Sequence, residues 1–592
     1  MEIPSRAIPS QRSLKRIALA AAPLAVVVVA AVVLVAAQPV TGPWWINADA
    51  DATYSASALN IISGDRSRYF DHPGLPNQEI LAITFGAVSL AHGGPTRAWA
   101  QDEMVHLDSA RPVFRGWGIA FFIGGALLVY LLLNRLFGHW TWGLAGGLLW
   151  LAQPDTTDAI QIRPDVLLCA LLLATGFVVV RAWQRRSAGG FAAASALAGF
   201  ALMTKLHAVA IIPMILLGTV LGYPGADWRE KLKTDVRSFV VRHRRGVAIA
   251  VGVWILLFFI LNWHRLTIST LGIDAGLLAL IAFAVLDYWL LTTLVHRWTG
   301  ARLVRRVFDP FYLWLAGAFA VGIAIPLALV LEYSPWILSQ TFQSLIGRNV
   351  NAGITPFKLS VTQFTSFPLL EAMIVIGISV VAAVVGVVRR DAFPAIWFVG
   401  AAATTLLATV RLGENRYYAP GYVLAIPAAL WLFRRRGATA APIVVWALAV
   451  GILVPTFLHM RDAAHAASAA ESQSRATTAL ADKVLSPGEV ALVPNYYWPV
   501  ADARWWGLVH QYVFSAPDYP YRFIPDEADA IPAATDEGKH VAAYIGSSAL
   551  EVGKRQSLQL GSGTFEAEPV PGGRDYASMD LGVVRLLSGP GT

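Results

Sequence analysis

Apolar residues in this chain run in long unbroken stretches, each about as long as a helix must be to cross the hydrocarbon core of a bilayer, roughly 20 residues. The first stretch, Ile17 to Ala37, follows Arg6, Arg12, Lys15 and Arg16. A cleavable signal peptide has a shorter apolar centre, about 7–15 residues, so this stretch reads as an uncleaved first helix. Further apolar runs start near Trp117, Trp140, Pro164, Gly189, Ala208, Val247, Ala275, Phe311, Leu369, Phe393, Gly421 and Ala441. Together they predict a polytopic α-helical membrane protein with about 13 transmembrane helices.

Cytoplasmic loops retain Lys and Arg, and the basic residues alternate from loop to loop. One set of segments carries the N-terminal cluster, Arg135, Arg181/Arg185/Arg186, the run from Arg229 to Arg245, Arg297 to Arg306, Arg389/Arg390 and Arg434/Arg435/Arg436. That set is assigned to the cytoplasm, with the N-terminus inside a plasma (inner) membrane and the C-terminus outside. Two long polar segments then face out: a first loop over residues 38–116 and a tail over residues 461–592. The tail has short β-rich runs at Val490 to Pro494, Val541 to Ile545 and Val583 to Leu587, separated by Pro, Gly and Ala-rich stretches. It predicts a small extracytoplasmic α/β domain beyond a membrane module of residues 1–460.

Composition agrees with this reading. Only 14% of the 592 residues are charged, where a soluble domain carries about 25%, and the mean hydropathy is +0.55. The single cysteine, Cys169, lies in an apolar run, which excludes disulfide frameworks and Cys-based zinc sites. The 21 Trp and the net charge of +8 fit aromatic interface belts and basic inner loops, so no nucleic-acid partner is required. Walker, GxSxG and HExxH motifs are absent, leaving a nucleotide-driven pump or a soluble-type hydrolase without support.

The unusual residues all fall on the face assigned to the outside. The first loop opens Asn47-Ala48-Asp49-Ala50-Asp51-Ala52-Thr53-Tyr54 and continues Asp71-His72-Pro73-Gly74. Acids are ordinary in an aqueous loop. Two at i and i+2 just beyond a membrane helix are a sharper feature, because one can serve as a general base while the other orients it or binds a divalent cation. The fourth helix opens Gln161-Ile162-Arg163-Pro164-Asp165. Pro at a first helical position and Asp in a first turn suit helix capping; alternatively Asp165 faces an outer cavity, with Arg163 beside it for an anionic group. Lys205 and His207 sit between two apolar segments with almost no loop to hold them, either as a snorkelling interfacial turn or facing a wet cavity or a partner. Asp287, inside the eighth predicted span, is a weaker case of the same kind. The late loop Arg411-Leu412-Gly413-Glu414-Asn415-Arg416-Tyr417-Tyr418 is doubly basic against the charge trend, and a guanidinium there suits a phosphate. Its tyrosines also suit interface anchoring. The aromatic stretch Asn495 to Trp506 fits docking of the tail on the membrane face, or stacking on sugar rings.

In this order and sidedness, the basic start, the loop opening with DADATY, the RPD, the MTKLHA…P turn and the NRYYAP loop resemble the GT-C glycosyltransferases. Within that group the layout is similar to protein O-mannosyltransferases and, more so, lipid A aminoarabinose transferases. The resemblance covers the membrane part to about His459. It implies a polyprenyl-phosphate-linked sugar donor, an envelope glycan, lipid or protein acceptor, and an inverting transfer. It further implies that Asp49 or Asp51 is the catalytic base, Asp165 a second outer-face acid, and Arg416, with Arg163 and Lys205, a contact for the donor phosphate. His72, His207, Glu414 and Tyr417 are further candidates. Relatives of these types carry Asp-Glu where Asp51-Ala52 stands here, so the choice between Asp49 and Asp51 stays open. A divalent cation is compatible with the reaction and not required by it. The competing class is a lipid or sugar transporter, which usually shows two similar halves; this sequence shows none.

Overall fold

The computed structural model describes residues 11–37, 51–64, 74–105, 111–154, 161–262, 309–330, 337, 367–411, 415–434, 443–444, 447, 449–462, 490–493, 522–525, 541–546, 556–560, 563–575 and 581–588. The chain divides into two compact units: Met1–Gln38, Trp117–Leu256 and Thr267–Met460 form one, and Pro39–Gly116, Leu257–Leu266 and Arg461–Thr592 the other.

Helices stand where the apolar runs predict them. They are α1 (Gln11–Ala36), α5 (Arg111–Phe137), α6 (Trp140–Leu151), α7 (Pro164–Arg185), α8 (Ala188–Thr204), α9 (Ile212–Leu221), α11 (Arg244–Asn262), α12 (Pro310–Leu329), α13 (Phe367–Val388), α14 (Phe393–Arg411) and α15 (Ala419–Arg434). Between them, α10 (Trp228–Arg242) is amphipathic and basic. The loop helices α2 (Asp51–Ile62), α3 (Leu75–Ser89) and α4 (Arg97–Val105) belong to the second unit.

Among the described residues, five helices are long and apolar enough to cross a membrane: Pro112–Phe137, Pro164–Arg185, Arg244–Leu261, Pro310–Leu329 and Leu370–Val388. That is fewer than the predicted 13, for two reasons. Several apolar runs form shorter helices; α6 has 12 residues, all buried from Thr141 to Leu151. A helix of that length rises about 18 Å, short of the roughly 30 Å hydrocarbon core. The run near Ala275, with Asp287, and most of the run near Ala441 lie outside the described residues. By contrast α11 exposes Ile249, Leu256 and Phe259, the surface a lipid-facing helix presents.

Local chemistry fixes the bundle at the ends away from the candidate site. Ser187 caps α8, its Oγ accepting from Gly190 N–H at 2.9 Å and donating to Asp235 Oδ2 of α10 at 2.7 Å. Asp309 caps α12 by accepting from Phe311 N–H at 2.8 Å and also accepts from the Tyr223 hydroxyl. The crossing of α8 and α12 depends on Gly199 and Gly322, where an added Cβ would run into the backbone of Phe319 and of Ala196; small residues of this kind let membrane helices approach closely. Helix α15 is buried from Ala419 to Trp431 and packs against α6, α7, α13 and α14.

In the second unit α2 packs on α3, and Gly74 caps α3 at φ 52°. Glycine is required there twice over, because a Cβ would also strike the Tyr54 ring. On α3, Glu79 is 4% exposed and its Oε1 has no hydrogen-bond partner among the described residues. Burial pushes its carboxyl well above the usual carboxylate range. The folded protein therefore holds a proton that the unfolded chain releases near the ordinary Glu value. The stability this group contributes is complete below that value and is lost as pH rises toward the folded one. Glu79→Gln is expected to melt above the wild type at about pH 8 and close to it near pH 4, measured on detergent-solubilised protein. Equal melting at both pH values would count against the buried acid.

The tail contributes β1 (Val490–Val493), β2 (Arg522–Pro525), β3 (Val541–Gly546), β4 (Gln556–Leu560), β5 (Gly563–Asp575) and β6 (Leu581–Ser588) in one sheet of order β2-β1-β3-β6-β5-β4. β1 runs parallel to β2 and β3, and the other pairings are antiparallel. The three β-rich runs expected from sequence are β1, β3 and β6. The β5–β6 register shifts between Pro569 and Arg574, after a residue that cannot donate to a ladder.

Candidate functional site

Six sequence-selected residues converge at one end of the helical unit. Helix α7 starts with Pro164 at its first position, and Arg163 before it is extended, with no side-chain cap. Asp165 stands in the first turn, where a carboxylate suits the helix start. It is 3% exposed, and its Oδ1 accepts a hydrogen bond from Lys205 Nζ in a fully buried ion pair. Lys205 reaches it because α8 stops at Thr204 and the chain extends for one residue, φ −160° and ψ 139°, before the 3₁₀ segment Leu206–Ile211. Lys205 is 1% exposed, so it points into the protein rather than snorkelling to a surface.

The late loop closes over this pair. Asn415–Tyr418 is a 3₁₀ turn directly ahead of α15. Tyr417 stacks on His207 with ring centroids 5.0 Å apart and planes 13° from parallel. Lys205 Nζ lies 4.6 Å from the centre of the same Tyr417 ring, a cation–π contact in a desolvated place. The Arg416 guanidinium is 5.0 Å from that centre and donates to the Tyr417 hydroxyl at 3.2 Å. Arg163 stands two residues before Asp165, at the start of the same helix. Three basic side chains and a stacked imidazole–phenol pair thus gather round one carboxylate. Such a set can hold an anionic group through charge-assisted hydrogen bonds.

The other sequence candidates are placed differently. Asp49, His72 and Glu414 lie outside the described residues. Asp51 is the first residue of α2, in the second unit.

Sequence reasoning passed over Glu371 and Tyr422. The Tyr422 hydroxyl of α15 lies 3.0 Å from Glu371 Oε1 of α13 and 2.9 Å from the Leu149 carbonyl oxygen of α6. Glu371 is 5% exposed. Its signal was available: an acid just inside a predicted span is a functional candidate by default.

A helical unit with five helices long and apolar enough to cross a membrane among the described residues thus carries a cationic and aromatic cluster at one end. Residues 93–241, about a quarter of the chain, match the family model described as dolichyl-phosphate-mannose-protein mannosyltransferase. This stretch contains Arg163, Asp165, Lys205 and His207, and the match bears out the resemblance to GT-C glycosyltransferases read from the sequence. No curated protein sequence matches the chain. Among solved structures the chain is similar to the oligosaccharyltransferase AglB from Archaeoglobus fulgidus in complex with an inhibitory peptide and a dolichol-phosphate. The identity is 13%, covering 89% of this chain and 70% of that one, with a TM-score of 0.48. It is also similar to ArnT from Cupriavidus metallidurans bound to undecaprenyl phosphate, at 14% identity, 94% and 96% coverage and a TM-score of 0.32.

Proposed function

We propose that this protein is a membrane glycosyltransferase that moves a sugar from a polyprenyl-phosphate donor to an acceptor at the extracytoplasmic face of the plasma membrane. The observation that carries the reading is the buried Asp165–Lys205 pair, with Lys205 and Arg416 both against the Tyr417 ring that stacks on His207. The family model over residues 93–241, described for enzymes whose donor is a dolichyl-phosphate sugar, supports it.

In this reading the acceptor oxygen attacks the anomeric carbon as the bond from that carbon to the phosphate oxygen breaks. The electron pair leaves on the polyprenyl phosphate, and the configuration inverts. Arginines and a lysine stabilise the departing charge. Asp49 or Asp51 takes the acceptor proton; Asp165 holds the Lys205 ammonium in place. A divalent cation at the Asp49-Ala50-Asp51 pair is compatible with this scheme. Residues 1–460 form the catalytic membrane module and residues 461–592 an outer domain. The acceptor is an envelope glycan, lipid or protein.

Purified protein given radiolabelled polyprenyl-phosphate sugars and membranes is expected to label an acceptor and release free polyprenyl phosphate. Mass spectrometry of envelope glycans from a deletion strain then names the acceptor. A deletion strain with unchanged glycans, together with no transfer in vitro, would reject the reading.

Arg416→Ala is expected to raise the apparent KM for the donor, because losing a charge-assisted contact costs on the order of 1.5–3 kcal/mol. An unchanged KM in a folded variant would remove Arg416 from the phosphate site.

A further inference from the structure

We infer that Glu371, held as a neutral carboxylic acid, positions the donor-binding loop by closing a hydrogen-bonded knot of three helices through Tyr422. This inference rests on the donor reading above.

The proton count carries the first half. A tyrosine hydroxyl has one hydrogen to give, and a peptide carbonyl has none. Yet the Tyr422 oxygen stands at hydrogen-bond distance from both the Leu149 carbonyl oxygen and Glu371 Oε1. If Glu371 were a carboxylate, Tyr422 could satisfy one of the two and would press its lone pairs against the other. With the proton on Glu371, both contacts are made: Glu371 donates to Tyr422, and Tyr422 donates to Leu149. The Leu149 oxygen also accepts from Ala152 N–H at 3.1 Å, so both its lone pairs are used. Among the described residues no basic side chain pairs with Glu371. A charge at 5% exposure would therefore stand without a counter-ion, a costly state.

The placement carries the second half. Tyr422 is the fourth residue of α15, one turn below the Arg416–Tyr417 pair. Leu149 is near the end of α6, which leads on to Arg163 and Asp165. Glu371 lies near the start of α13. The knot fastens these three helix ends, and so the late loop, to the segment leading into the Asp165–Lys205 pair. Glu371 is a positioning residue; its neighbours in the knot are the side chain of Tyr422 and the backbone of Leu149.

The test uses the full chain in detergent with farnesyl phosphate as the probe, its binding followed by tryptophan fluorescence. Glutamine has an N–H to donate to Tyr422, so Glu371→Gln is expected to bind within about twofold of the wild type, whereas Glu371→Leu and Tyr422→Phe are expected to bind about tenfold more weakly, the scale of one buried hydrogen bond. In transfer assays the two weak variants are expected to raise the donor KM more than they lower kcat. The wild-type minus Glu371→Gln infrared difference spectrum at neutral pH is expected to show the carbonyl stretch of a protonated carboxylic acid.

If Glu371→Gln is as impaired as Glu371→Leu, or the infrared band is missing, the neutral acid is overturned. If folded Glu371→Leu binds like the wild type, the positioning role is overturned. A folded wild type that binds no farnesyl phosphate overturns the donor reading and the positioning role with it, and the infrared band alone then decides the protonation of the knot.

Discussion

Lys205→Met is expected to destabilise the protein by up to about 3–5 kcal/mol and to abolish transfer, because it removes the ion-pair partner of a buried carboxylate. Asp165 and Lys205 are both almost wholly buried, and each is the other's ion-pair partner. The double variant Asp165→Asn/Lys205→Met removes both charges and is expected to recover most of the lost stability, since replacing a buried pair is far cheaper than halving it. It is not expected to recover transfer, because one cation of the cluster is gone. Asp165→Asn leaves the Lys205 ammonium buried without its carboxylate and is therefore also expected to lose stability. Asparagine suits a helix start nearly as well as aspartate, yet transfer is expected to fall tenfold or more, about 1.4 kcal/mol in the barrier. Melting temperature and transfer, measured on all three variants in detergent with saturating donor, decide the matter. Full activity of a folded Asp165→Asn protein would take Asp165 out of the site.

The largest effect on chemistry is expected from the first loop. Asp49→Asn and Asp51→Asn are expected to differ, one lowering transfer by about 10²–10⁴ and the other much less, because one carboxylate oxygen meets the acceptor proton. Asp51 opens α2, where a carboxylate also favours the helix start. A drop in stability without a drop in turnover at saturating substrate would identify it as the structural member of the pair. Normal turnover in both variants, at wild-type levels in the membrane, would end the assignment of a base to this loop.

How far each residue of the site was legible depended on the kind of information its position required. Apolar run length placed the helices, because a run of about 20 apolar residues has few states open to it other than a membrane helix. Short β-rich apolar runs located β1, β3 and β6. Charge out of keeping with its surroundings marked Arg163, Asp165, Lys205, His207 and Arg416 as candidates, since an ionisable group in an apolar setting needs a partner. What the sequence could not decide was which partner. Capping and cavity readings of Asp165 were both compatible with Arg163-Pro164-Asp165, and only the turn after α8, which brings Lys205 across a separation of 40 residues, adds the ion pair to the helix start. Snorkelling and burial of Lys205 were likewise compatible with one local sequence; the stacked Tyr417 and His207, from segments far apart in the chain, supply the aromatic surface that makes burial tolerable. The Glu371–Tyr422–Leu149 knot joins three helices, and nothing local at any of them specifies the other two. Local sequence thus determined which groups are costly to bury, through solvation, while the tertiary structure alone decided how each cost is offset, because pairing energies depend on distances that only packing sets.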